Sequence, residues 1–120
     1  MADRILLIAW GTPVRGSEVR SLEVFNEALG LLGRMQQDGR IDSFDVSLLA
    51  PNDQMGGFIS VRGSADQINA LNADEEFMRN TIDAELCVEN LRHIQGWTNE
   101  GVAAQMQMYT EAIAKVPQQA

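Results

Sequence analysis

The sequence predicts an α+β fold, a two-layer sandwich in which helices cover one face of a four-stranded antiparallel sheet. Three observations carry that reading. Apolar residues recur with strand and helix periods in the order strand, helix, strand, strand, helix, strand, with a further helix at the C-terminal end. Only a short connection separates the second and third strands, so the two form a hairpin. The chain has 120 residues, which fits a single domain (residues 1–120) able to bury roughly 65% of its unfolded surface around one core.

The first strand spans residues 4–10, where four aliphatic residues lead to Trp10 before Gly11, Pro13 and Gly16 break the run. A helix over residues 18–37 follows, with Val19, Leu22, Phe25, Leu29, Leu32 and Met35 at three- and four-residue spacing. Ser17 is placed to cap its start, and Asp38-Gly39 stops it, because glycine enters the left-handed conformation without steric cost.

Residues 41–50 alternate, with Phe44, Val46 and Leu48 on one face and Ser43, Asp45 and Ser47 on the other. Residues 57–63 alternate likewise, Ile59 and Val61 against Phe58, Ser60 and Arg62. Parity restricts the hairpin register, since a slip by one residue would set apolar side chains against polar ones. Pairing Leu48 with Ile59 and Val46 with Val61 keeps one face apolar and sets Ser47 opposite Ser60 and Asp45 opposite Arg62.

Ser64 to Gln67 has the form of a capping box, opening a second helix that pauses at residues 72–74 and resumes through Phe77 and Ile82. Residues 86–97 read as the fourth strand, without strict alternation, and residues 100–115 as a final helix with Val102, Met106, Tyr109 and Ile113 on one stripe. That stripe is expected to face its own sheet or a partner. From Pro117 onward the chain reads as a frayed tail.

Two helices that both return by right-handed crossovers lie on one face of the sheet and leave the other bare. A bare face with apolar residues must be covered, and the simplest cover is a second copy of the same sheet. The expected partner is therefore the chain itself, as a homodimer.

In this element order, and in Gly56-Gly57-Phe58-Ile59-Ser60-Val61 followed by Ser64-Ala65-Asp66, the chain resembles the dimeric α+β barrel superfamily of ferredoxin-like βαββαβ sandwiches. Within it the look is similar to YCII-related and antibiotic-biosynthesis-monooxygenase-like small proteins. The Asp-Gly-Pro-Phe segment of YCII-like chains is absent, and no catalytic residue is carried over. The resemblance implies two sheets enclosing a cavity, a small organic ligand and no cofactor.

Composition excludes several classes. With 17 acidic against 9 basic residues the formal net charge is -8, which repels a phosphate backbone, and single scattered basic residues do not form a membrane-binding patch. Nucleic acid and membrane are not expected partners. No apolar run approaches the ~20 residues of a bilayer span, and residues 5–10 are too short for a secretory signal, so a cytoplasmic location is expected. Cys87 is the only cysteine and His93 the only histidine, too few ligands for a closed or catalytic metal site.

The candidate catalytic residues are His93, whose imidazole titrates near physiological pH, and Asp45. Beside them, Arg62, Ser47 and Ser60 are candidate ligand contacts on the bare face of the hairpin, and Trp10 and Trp97, each ending a strand, could line one mouth of a barrel. The plainer alternatives are a strand histidine, a rim ion pair and two packing anchors. Two functions compete: a cofactor-independent enzyme of monooxygenase or isomerase type, and a non-catalytic dimeric module that binds a small molecule or a protein.

Overall fold

The computed structural model describes residues 2–117. Along the chain run β1 (Arg4–Trp10), α1 (Glu18–Gln37), β2 (Ser43–Leu48), β3 (Gly57–Gly63), α2 (Ala65–Ala73), α3 (Glu75–Glu85), β4 (Arg92–Trp97) and α4 (Glu100–Ala114). The strands form one sheet in the order β2-β3-β1-β4, and every neighbouring pair is antiparallel. The fold is thus an α+β sandwich of the expected order, with the second helical stretch divided into α2 and α3.

Period-two alternation divides the sheet into two faces. Leu6 and Ile8 of β1 and Ile59 and Val61 of β3 point to the helices, where they meet Leu31, Leu32 and Met35 of α1, Ile68 and Leu71 of α2 and Phe77 of α3. This is the core, and each full burial of such a side chain contributes roughly 1.5–3 kcal/mol. The capping box forms as the pattern requires: Gln67 N donates to Ser64 Oγ at 3.1 Å and Ser64 N donates to Gln67 Oε1 at 2.7 Å. The division between α2 and α3 has its own cap, with Phe77 N donating to Asp74 Oδ2 at 2.9 Å. Gly39 ends α1 at φ 76°.

Several expectations are corrected. Ser17 makes no side-chain cap on α1; instead Gly16 N donates to Glu18 Oε1 at 2.9 Å. The first turns of the α1 stripe do not pack, for Val19 and Leu22 are exposed and the buried side comprises Val24, Leu31, Leu32 and Met35. In the hairpin Val46 pairs with Ile59, Leu48 with Gly57, Asp45 with Ser60 and Ser43 with Arg62, two residues from the predicted register. Parity, and with it the face of every side chain, is unchanged. The choice of register comes from Asn52, whose Oδ1 accepts from Gln54 N and Met55 N, both at 2.8 Å, closing the loop so that Leu49 N can donate to Gly56 O at 2.9 Å.

β4 starts at Arg92 rather than 86, because residues 87–89 are used otherwise: Val14 N donates to Cys87 O at 2.7 Å and Gly11 N to Glu89 O at 2.7 Å. The final helix runs away from its own sheet, so Met106 and Tyr109 are exposed.

Candidate ligand-binding site

The sequence-predicted residues fall on two opposite sides of the sheet. On the open side, β2 and β3 bring Asp45, Ser47, Ser60 and Arg62 together, and β1 and β4 add Leu7 and Ile94. Arg62 Nη1 donates to Asp45 Oδ2 at 2.9 Å, with side-chain exposures of 35% and 70%. The pair forms diagonally across the shifted register, which the reach of an arginine permits. Ser60 is buried between them and β1.

His93, Trp10 and Trp97 lie on the helix side. His93 pairs with Ile8 across β1 and its ring meets Phe77 at 5.5 Å between centroids. Burial pushes the imidazole below its ordinary value, with the Glu85 carboxylate opposing in part. Asp45 and His93 are thus separated by the thickness of the sheet and by three strand spacings, roughly 14 Å laterally, so the two cannot act on one bond.

The two tryptophans are also apart. β1 and β4 are antiparallel and Trp97 pairs with Arg4, so Trp97 and Trp10 stand at opposite ends of β1, roughly 20 Å from each other. Both ending a strand was the observation that grouped them, and antiparallel pairing is what parts them. At its own end Trp97 carries the Arg4 guanidinium 5.6 Å from its ring centroid.

Trp10 belongs instead to a cavity of about 200 Å³ between the sheet and the helices. Its floor is Ile8 and Ile59, its walls Phe25 of α1 and Ala84 of α3, and Cys87 closes it from the segment after α3. Trp10 and Phe25 meet edge to face, centroids 5.7 Å apart at 64°. Gly57 gives the indole its place, since a Cβ there would come within 2.9 Å of Trp10 Cζ2.

Polar groups in the lining are few. Asn80 Nδ2 donates to Val24 O at 3.1 Å and Ser21 Oγ to Glu18 O at 2.7 Å, which leaves Asn80 Oδ1 as an acceptor for a guest. Cys87, a buried free thiol, is the one titratable side chain in the lining. Chemically such a site can hold an apolar molecule against Trp10 and Phe25 and orient it by one hydrogen bond; it opens to solvent beside Leu22 and Leu48 and carries no carboxylate or imidazole. Among the described residues no group of three or more His, Cys, Asp or Glu side chains is arranged to hold a metal ion, and no helix is long and apolar enough to cross a membrane.

Sequence reasoning missed Phe25 and Asn80 as site residues, because a gap between a helix layer and a sheet depends on tertiary placement. The available signal was the apolar pair Leu22 and Phe25 at the start of the α1 stripe, beside a strand ending in Trp10-Gly11.

No known family model matches the sequence, and no curated protein matches it. Two solved structures are similar to it in fold. A dimeric protein of unknown function and ferredoxin-like fold from Bacteroides fragilis NCTC 9343 matches with a TM-score of 0.58 at 12% identity, covering 79% of this chain and 96% of that one. SnoaB, a cofactor-independent oxygenase from Streptomyces nogalater, matches with a TM-score of 0.51 at 15% identity, covering 82% of this chain and 93% of that one. The chain therefore has the ferredoxin-like α+β fold, and the resemblance to dimeric α+β barrel proteins holds at the level of fold.

Proposed function

We propose that this chain forms a homodimer and that each subunit binds a small, largely apolar organic molecule in the cavity between sheet and helices. The observation that carries the reading is the Trp10–Phe25 walled cavity of about 200 Å³, with Cys87 its one titratable side chain. An apolar cavity of about 150 Å³ holds a benzene ring, so this one suits a guest of one or two rings. The dimeric neighbour supports the homodimer. A neighbour that is a cofactor-independent oxygenase makes oxygenation the chemistry to assay first, and since the lining carries no carboxylate or imidazole, a substrate that needs a proton removed would have to be acidic itself.

The experiment is fluorescence of a Trp97→Phe background, which leaves Trp10 as the reporter, titrated with small aromatic and polyketide-like compounds, and oxygen uptake with each binder. Saturable change in Trp10 emission supports the binding site; its absence across the panel sinks it. Light scattering at micromolar concentration decides the dimer.

The open face supports a second reading, motivated by the ready-formed Arg62–Asp45 pair next to buried Ser60. In a dimer closed over this face, Arg62, Ser47 and Ser60 would contact an anionic or hydrogen-bonding ligand, with Asp45 as the proton-moving group. His93 and Trp97 lie outside both readings.

A further inference from the structure

The helix α4 stands away from the rest of its subunit. The radius of gyration is 17.1 Å, against ~14 Å for a compact chain of this length. The principal extents are 56 × 36 × 23 Å, and a helix of α4's length accounts for roughly 22 Å, about the excess of the first extent over the second. Its packing against its own subunit is with β4, at its root. Beyond that root Val102, Met106 and Tyr109 form a stripe at helical spacing and are 47%, 56% and 62% exposed.

A frayed tail would not have a built root, and this helix does. Asn99 turns the chain at φ 51° and its Nδ2 donates to Ala2 O at 2.7 Å, while Thr98 N donates to Asp3 O at 3.1 Å. Gly101 is buried with its backbone against Asp3, so close that no Cβ fits between them. The direction in which α4 leaves is thereby fixed, and it is fixed outward.

We propose that α4 is an arm exchanged between two copies of this chain, its Val102–Met106–Tyr109 stripe packing on the partner subunit beside the open sheet face. The proposal rests on the homodimer reading. A second copy fits better than other occupants. α4 contains no Lys or Arg and the chain carries a net charge of -8, which disfavours an anionic membrane surface. The arm also springs from β4, the edge strand whose Ile94 is exposed on the open face, so the face that a second copy would cover begins at the arm's own root. Two reciprocal arms, each covering one helix face of roughly 300 Å² and as much on its partner, reach about 1,200 Å², the lower end of a stable interface before the sheets add anything.

Sedimentation equilibrium of the full chain tests this with three variants: M106E/Y109E on the stripe, Gly101→Ala at the root, and Ile94→Glu on the open face. The stripe variant is expected to raise the dimer dissociation constant at least ~100-fold, the scale of losing central apolar anchors. Gly101→Ala misdirects the arm without touching the stripe and is expected to weaken the dimer as well, both variants keeping the wild-type emission of Trp10 when each is made in a Trp97→Phe background. If Ile94→Glu dissociates the dimer while both α4 variants leave it intact, the homodimer stands and the exchanged arm is overturned. A monomeric wild type overturns both.

Discussion

The indole of Trp10 rests over Gly57, its pairing partner in β3, and the missing side chain at Gly57 leaves room for that ring. A methyl group there would meet Ser47 O at 2.7 Å, Trp10 Cζ2 at 2.9 Å and Leu48 Cδ2 at 3.1 Å. The first contact is with backbone and cannot relax by a rotamer change. Gly57→Ala is therefore expected to destabilise the fold by about 1–3 kcal/mol and to shift Trp10 emission as the ring tilts toward Phe25. Denaturant unfolding with fluorescence checks both, and an unshifted emission spectrum would mean that Trp10 is not held by Gly57.

Arg62 and Asp45 face the open side with their charges in contact with solvent, so their pairing contributes little to the isolated subunit. Arg62→Ala should change its stability by less than about 1 kcal/mol. Ligand binding separates the two site readings. If the open face contacts an anionic ligand, the same variant weakens its binding by about 1.5–3 kcal/mol, as for a lost hydrogen bond to a charged group. Calorimetric titration of the wild type and variant measures the difference, and equal affinities remove Arg62 from the site.

How far the sequence was legible can be followed through individual residues. Leu6, Ile8, Ile59 and Val61 alternate, and they form the core floor as their period demands. Asp45 and Arg62 meet, though through the wrong pairing, because parity cannot distinguish registers two residues apart and the turn made by Asn52 can. β4 resisted because Pro13–Val88 bridging draws residues 87–89 out of the strand, so their apolar pattern answers to a loop. The cavity was legible only as apolar residues of α1 and β1 with no stated relation to each other. It depends on Leu22 standing clear of the core while Phe25 meets Trp10, a property of where α1 crosses the sheet and not of spacing along the chain.

Filling the cavity tests the function without removing any polar group. Ala28 lines it from α1, on the same wall as Phe25. Ala28→Leu should occupy part of the space, change stability by about 1 kcal/mol or less in either direction, and weaken binding of an aromatic probe at least ~10-fold. Unchanged probe affinity with an intact fold would place the ligand elsewhere, and the open face would become the leading candidate.

The last prediction concerns pH. Burial against Phe77 holds His93 below its ordinary value, with Glu85 partly countering, so the unfolded chain takes up a proton at a higher pH than the folded one. At pH above the unfolded histidine value of about 6.5 both states carry a neutral imidazole and the full stability is present. As pH falls from there toward the lower folded value, the unfolded state gains a proton that the native state does not, and stability is lost. His93 is the only histidine, so replacing it isolates its share of this window. Urea midpoints at closely spaced values between about pH 5.5 and 7.5 should decline on acidification in the wild type. In His93→Gln, which keeps a polar side chain of similar reach beside Phe77, the decline should flatten. A wild-type curve level across the window, or a variant that falls just as steeply, would show that His93 is not held neutral by its place in β4.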